Sequence, residues 1–592
     1  MNTMTETRNL AAASHPAQEG QVRMTASEAF VETLVAHQVK DVFGIAGPAH
    51  LDALDLFPGA GIRLYGVAHE QNAAHMADGY GRVTHRPTVC IAQNGPGITH
   101  FVTAVAEAYR ARTPMVVVTP ESGSQATGHG GFQEADPMPI LSKITQWQAH
   151  VDSPQRMAEL MHRAFAVALH ERGPVQLNIP RDCFYSEGDY EILPPPVIER
   201  AAGTANSLEK AAKMLAGAKS PVIIAGGGVV RSDGVEEVRA LAEYLTAPVV
   251  NSYLHNDSFP AGHPLSCGPL GQQGSKAAMR ILARADVVLA LGTRLGSLGT
   301  QSQYGMDYWP EGAKVIQVDA DPRALGDARK VSLAIQGDVK LAAAEFARRL
   351  KARGARKPDK ARLAEVQREK EMWIAELANW PSSNKKGAIG PRRALAQLAK
   401  ALPRNAIVST DVGSVCSVAN SYLRFEQPSS FLAPISGGRG GYAWPTALGA
   451  KVARPDRPVI AYVGDGAWGM SLAEVMTAVK EKIPAVAIVF NNGQWDTEKK
   501  GPVDSFDGRF VGARLANPDF SEIARVMGAE GYRVEHEDEV SDALKAALKS
   551  GKPAVVEIPL TQELADPSRS NTLRKPRRLL PKYRRFNGKD HR

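Results

Sequence analysis

The sequence predicts an α/β protein built from three doubly wound parallel-sheet domains. Its 592 residues, 44% of them hydrophobic, exceed what one core accommodates and suit two or three. From Met24 onward, short apolar runs alternate with amphipathic stretches, the pattern of buried parallel strands joined by crossover helices. That alternation stops and restarts twice, at the proline-punctuated "EILPPPVIERAAGTANS" and at the turn-rich "NWPSSNKKGAIGP".

Taken in chain order, residues 1–23 are polar and Ala-rich and are expected to form a disordered extension. They lack the apolar centre of a secretion signal. The first domain, 24–190, has strands in "IRLYGVAHE", "TVCIAQNGPG" and "MVVVTPE" and closes near "GPVQLNIPRD". The central domain, 205–345, restarts at "PVIIAGGG" and continues through "ADVVLALGTRLG" and "KVIQVDADP". Residues 346–389 form a linker whose Lys/Arg/Glu-rich part, to about 378, is expected to be an exposed helix. The third domain, 390–565, precedes a basic tail, 566–592.

No apolar run approaches the roughly 18 to 20 residues of a membrane span, so a cytoplasmic location is expected. Cys90, Cys183, Cys267 and Cys416 are scattered, which points to structural thiols rather than a disulfide framework or a zinc cluster. The net charge of +8 is local: ten Lys or Arg and one acid between Arg569 and Arg592 leave about −1 for the rest. The tail suits a solvated terminus or a strap on a neighbouring subunit better than a nucleic-acid surface.

The third domain carries a pair of motifs. "PVIAYV" reads as a strand, "WGMSLAEVMTAVKEK" as an amphipathic helix and "PAVAIVF" as a second strand, with Gly464-Asp465-Gly466 after the first strand and Asn491-Asn492 after the second. One βαβ crossover brings the carboxyl ends of its two strands to the same sheet edge. Asp465 and Asn492 then become neighbours, and a carboxylate with an amide oxygen suits a hard cation such as Mg²⁺ that completes its shell with phosphate and water. The helix opening at Gly466 to Trp468 offers free N–H groups to that phosphate. Singly, both motifs read as turns; 24 residues lie between them, enough for one helix and one strand.

That spacing resembles the thiamine-diphosphate enzyme family, whose signature is GDG, some two dozen residues, then NN. The resemblance implies Mg²⁺ held by Asp465, Asn492 and the backbone carbonyl of Gln494. It also implies pyrimidine-binding, central and diphosphate-binding domains in that order, and a homodimer or homotetramer with active sites between subunits. A glutamate on the cofactor's aminopyrimidine falls at Glu70 in "HEQNAAHMADGYGR", where a buried carboxyl on the ring nitrogen favours the imino tautomer. A zinc HExxH reading fails, because His69 and His75 are six residues apart and so about 240° apart around a helix. "QNGPGITHFVTAV" matches the family's GPG turn, and "GGFQEADPMP" its loop with Gln133 near the reaction centre. "STDVGS", with Gly413 and Ser414, and "SGGRGGYAWPTALGA" match segments around the cofactor, as do Gly464, Gly466, Ala467 and Trp468. Many relatives carry a bulky apolar residue under the bent cofactor where this chain has Gly440.

One branch of the family is resembled more closely, in "MTASEAFVETLVAHQVKDVFGIAGPAHLDALDLF", "GHGGFQEA", "QWDTEKKGPVD" and "LADPSRSNTLRKPRRLLPKYRRF". It implies small anionic substrates, sulfoacetaldehyde and phosphate, converted to acetyl phosphate and sulfite in sulfonate (taurine) breakdown. Such a pocket needs cationic or N–H donors, and the candidates are His50, His129, Arg439, Lys499 and Lys500. A pyruvate-using carboligase of the acetolactate-synthase type is the alternative, and a non-catalytic protein on the same scaffold a third. "GGGVV" and "LGTRLG" allow a nucleotide turn in the central domain or a purely structural one. There is no GxSxG elbow and no P-loop, which argues against a serine hydrolase or an NTPase.

Overall fold

The computed structural model describes residues 20–379, 384–435, 438, 440–496, 506–561 and 577–587. It contains three six-stranded sheets, each wholly parallel. In the first, the spatial order is Arg63–Gly66, Asp41–Gly44, Thr88–Ile91, Met115–Glu121, Pro174–Pro180 and Gln148–His150. The central sheet runs Ser266–Pro269, Val249–Asn251, Pro221–Ala225, Val287–Leu291, Lys314–Asp319 and Leu333–Gln336. The third runs Phe431–Leu432, Ile407–Thr410, Val459–Gly464, Val486–Asn491, Ala554–Pro559 and Glu530–Arg533. Central strands such as Met115–Glu121 and Pro174–Pro180 are buried along their whole length, as strands covered by helices on both faces must be.

The sheet-edge chain starts earlier than the sequence suggests. Val22–Thr25 pairs antiparallel with Glu187–Tyr190, so Val22 and Arg23 belong to the domain and not to a disordered extension. Residues 1–19 of that expected extension lie outside the described residues. Val366 and Trp373 of the expected exposed helix, here Lys360–Ala378, are buried. Its charge run docks on the helix Lys276–Leu282 and the turn after it: Glu376 pairs with Lys276 at 2.7 Å and Arg280 at 2.5 Å, and Glu369 with Arg284 at 2.8 Å. The helix is exposed over about half its residues, as its composition suggests, and pairs with its neighbour along the other side.

The first and third domains share one core. Phe43, Met76 and Phe101 from the first pack in the same cluster as Trp444, Leu448 and Trp468 from the third. The contact is made chiefly by the helices Glu70–Thr84 and Ala443–Ala453. They approach so closely that a Cβ on Gly449 would overlap the Met76 carbonyl, and one on Gly79 the Thr446 carbonyl. All four cysteines are buried and unpaired, and burial pushes the Cys183 thiol up to about 11. Among the described residues no helix is long and apolar enough to cross a membrane.

Candidate active site

Strand register creates the first half of the site. Gly464 sits opposite Phe490 in adjacent parallel strands, so Asp465 and the Asn491-Asn492 pair emerge side by side at the sheet's carboxyl edge. Asp465 is buried. Its Oδ1 accepts from the N–H of Gly466 at 2.9 Å, and its Oδ2 from the N–H of Gly493 and the amide of Asn517, both at 2.7 Å. Burial still pushes this carboxyl above its ordinary value, although these hydrogen bonds oppose the shift.

The two asparagines have different employment. Asn491 donates to Glu557 at 2.7 Å and accepts from Asn517 at 2.9 Å, so both ends of its side chain serve the fold. The Asn492 side chain makes no hydrogen bond among the described residues. Gln494 pairs with Arg514 in an isolated antiparallel bridge whose two hydrogen bonds use the carbonyls of Gly493 and Ala513, not that of Gln494. Its side chain donates to Asp496. A carboxylate, an amide oxygen and a carbonyl form a hard donor set that fits Mg²⁺.

The expected single crossover helix is two. It begins at Asp465, runs to Ser471, and resumes over Glu474–Glu481. Gly464 stands at its N-cap, and Gly466 lies against the Trp495 ring, which a Cβ would overlap at 2.6 Å. Ala467 and Trp468 are buried, and Trp468 packs edge-on against Trp444 at 5.8 Å. Beside them Gly413 (φ 121°) opens the short helix that starts at Ser414. Asp411 just before it accepts from the N–H of Ala443 at 2.8 Å, pinning the glycine segment, and burial pushes its carboxyl up to about 7. At Gly440 the position of the missing bulky residue is bordered by Met470, whose sulfur lies 3.2 Å from where a Cβ would stand.

Glu70 forms the second half. The strand Arg63–Gly66 ends in a short turn, His69 caps the next helix by accepting from the Gln71 N–H at 3.3 Å, and Glu70 is its first residue. An acid there is favoured by the helix dipole. Glu70 is buried; its Oε2 is 2.9 Å from His100 Nδ1, and its Oε1 lies over Gly97, 2.6 Å from where a Cβ would be. The turn is fixed from the third domain: the buried Glu474 carboxylate accepts from the N–H groups of Ala68 and His69, each at 3.2 Å, and from Asn72 at 2.8 Å.

His75, on the same helix, is fully buried. The structure instead brings His69, Glu70 and His100 together across two helices, with ligand-type atoms within 4.8 Å of one another and the two imidazoles stacked at 4.3 Å.

Gln133 joins this wall. It adopts φ 57°, and its Oε1 accepts from Gln93 at 3.2 Å. His50 lies next to it through Gly47, whose N–H donates to the His50 Nε2 at 3.3 Å and whose Cα faces Gln93. Burial lowers His50 to about 4, so its imidazole is neutral at pH 7. His129 stands exposed on the neighbouring loop and makes no side-chain hydrogen bond among the described residues. Arg439, Lys499 and Lys500 lie outside the described residues.

Sequence reasoning missed Gln93, His100, Asn517 and Glu474. The first two sit inside the quoted "QNGPGITH" but carry no motif of their own; Asn517 and Glu474 act through long-range contacts with no local signature. In the central domain, Gly226 and Gly228 close against the Gly292 backbone, so these turns bring strand ends together. Arg110, Arg231 and Arg294 border a cavity of about 440 Å³ beside them.

Comparison with known proteins accounts for all three domains. Residues 24–140 match the thiamine pyrophosphate enzyme N-terminal TPP binding domain, 208–346 its central domain, and 411–558 its C-terminal TPP binding domain. The chain is 54% identical to the sulfoacetaldehyde acetyltransferase of Castellaniella defragrans, over 96% of this chain and 98% of that one. It is 34% identical to the acetolactate synthase large subunit of Corynebacterium glutamicum, over 90% of this chain and 86% of that one. A thiamine diphosphate-dependent 4-hydroxybenzoylformate decarboxylase of Rhodococcus jostii RHA1 shares the fold, with TM-score 0.78 at 24% identity over 91% of this chain and 99% of that one.

Proposed function

Because this chain belongs to the thiamine-diphosphate enzyme family, we propose that it converts sulfoacetaldehyde and phosphate to acetyl phosphate and sulfite. The observation that carries the proposal is the near-full-length likeness to sulfoacetaldehyde acetyltransferase, stronger than the likeness to acetolactate synthase. It is supported by the presence in one chain of Glu70, Asp465 and Asn492, the set a non-catalytic relative would not need to keep.

In this reading Asp465, Asn492 and the Gln494 carbonyl hold Mg²⁺, and the N–H groups at the start of the Asp465–Ser471 helix, with Gly413 and Ser414, receive the diphosphate. Bound thiamine diphosphate supplies a nucleophilic carbon and an electron sink. Glu70 holds the proton at the pyrimidine ring nitrogen. Gln133, steered by Gln93, and the neutral His50 face the substrate as hydrogen-bonding groups. His129, Arg439, Lys499 and Lys500 remain the candidate anion ligands. The C–S bond breaks with its electron pair on sulfite, so no external oxidant is needed, and phosphate takes the acetyl unit. The working unit is a homodimer or a homotetramer built from two such dimers, with Glu70 from one copy facing Asp465 of the other.

The test is to incubate the protein with thiamine diphosphate, Mg²⁺, phosphate and sulfoacetaldehyde and to follow sulfite and acetyl phosphate together. Equal formation of both, dependent on the cofactor, is expected. Absence of both, with pyruvate consumed in a parallel reaction, would place the protein with the acetolactate synthases instead.

A further inference from the structure

We propose that His100 is a positioning residue that carries the proton of the Glu70 carboxyl to and from solvent. The inference rests on the cofactor reading of Glu70 above, and on four features of this chain.

The first is geometry: His100 Nδ1 lies 2.9 Å from Glu70 Oε2, and this is the only hydrogen bond the carboxyl makes among the described residues. The second is placement. Gly97 and His100 lie one turn apart on the helix Pro96–Ala111; Gly97 leaves room for Oε1, and His100 takes Oε2, so the carboxyl is held with one oxygen committed and one left for the ring nitrogen. The third is exposure. The Glu70 side chain is 8% exposed and that of His100 is 43% in the single chain, so the imidazole spans from a buried acid to the surface of its own subunit. The fourth is support: the His69 ring stacks on His100 at 4.3 Å and limits its rotation. His69 and Glu70 are the titratable groups that face His100 across the helix pair; among the described residues no other titratable side chain bonds to it.

A carboxyl that must gain and lose a proton in a buried site needs a path, and an imidazole provides one because its two nitrogens exchange donor and acceptor roles. The proton leaves Oε2 for Nδ1 while the proton on Nε2 passes to water. The imidazole stays neutral, the carboxyl becomes a carboxylate, and the reverse transfer restores both. Glutamine at position 100 would keep a hydrogen-bond donor to Oε2 but has no such exchange.

The experiment uses the protein loaded with thiamine diphosphate and Mg²⁺, without substrate, and measures by quenched-flow and proton NMR how fast the cofactor's C2 proton exchanges with deuterium. His100→Gln and His100→Ala are expected to slow exchange at least tenfold, and added imidazole is expected to restore it in His100→Ala. Exchange at the wild-type rate in either variant would overturn the relay: in His100→Ala it removes any role, and in His100→Gln it reduces the role to orientation. Failure of imidazole to restore the His100→Ala rate would overturn it as well. Cofactor affinity and thermal unfolding of each variant, with His100→Asn as a replacement for one that does not fold, separate these outcomes from loss of structure. A wrong substrate assignment leaves this exchange intact, whereas a wrong cofactor assignment abolishes cofactor binding in the wild-type protein.

Discussion

At the scale of single residues, Glu70 and Asp465 are the positions where one atom decides the outcome. Glu70→Gln removes the exchangeable carboxyl proton while keeping shape, and turnover is expected to fall by about 10²-fold or more in a steady-state assay of acetyl phosphate. Asp465→Ala should abolish Mg²⁺-dependent cofactor binding by calorimetry, since it deletes the charged member of the donor set. Undiminished binding would remove the metal assignment. Chain order alone put Asp465 at a strand end beside the Asn491-Asn492 pair, whereas Glu70 was singled out by the resemblance to the family. Asn517 and His100 were not legible in the sequence, because what matters about them is a side chain arriving from elsewhere, at 2.7 Å from Asp465 and 2.9 Å from Glu70. The resemblance already named Asn492 rather than Asn491, and what only the structure adds is that Glu557 and Asn517 occupy Asn491.

At the scale of elements, the seam between the helices Glu70–Thr84 and Ala443–Ala453 is the most demanding packing in the chain. Gly449→Ala would drive a methyl into the Met76 carbonyl, forcing the helices apart. A loss of about 1–3 kcal/mol of stability is expected in chemical denaturation, with turnover reduced further because Glu70 opens the displaced helix. Apolar runs located the parallel strands, since buried strands must be apolar on both faces. Periodicity located the crossover helix but not its interruption after Ser471, and composition located the exposed Lys360–Ala378 helix but not the side of it that docks. In both places tertiary contacts override the local pattern: Trp373 and Val366 are buried in a stretch dominated by charge.

At the scale of the whole molecule, the domains are joined by buried polar straps. Asp257 of the central domain accepts from the N–H groups of Ser430 and Phe431 in the third, at 2.9 and 3.2 Å. Burial raises its pKa to about 6, opposed by those two donors. The folded chain therefore holds this proton more tightly than the unfolded chain, and the stability that depends on it is lost as pH rises from the ordinary value of 3.8 through about 6. Asp257→Asn carries no such penalty, so its stability relative to wild type should climb between pH 4 and pH 7, by up to about 3 kcal/mol, in thermal or urea unfolding of the apoprotein. A flat difference would remove the burial argument. Sequence analysis anticipated three domains of one architecture but none of these straps, which join residues more than a hundred positions apart. Glu474 is the strap with the widest reach. It stands nine residues after Asp465 yet grips the turn that presents Glu70. In the proposed dimer these two acids serve different reaction centres, so a single carboxylate connects half of one centre to half of the other. The two centres of a dimer should then load unequally, the second cofactor binding with an affinity set by the first, and a calorimetric titration should show two phases that merge into one in Glu474→Gln.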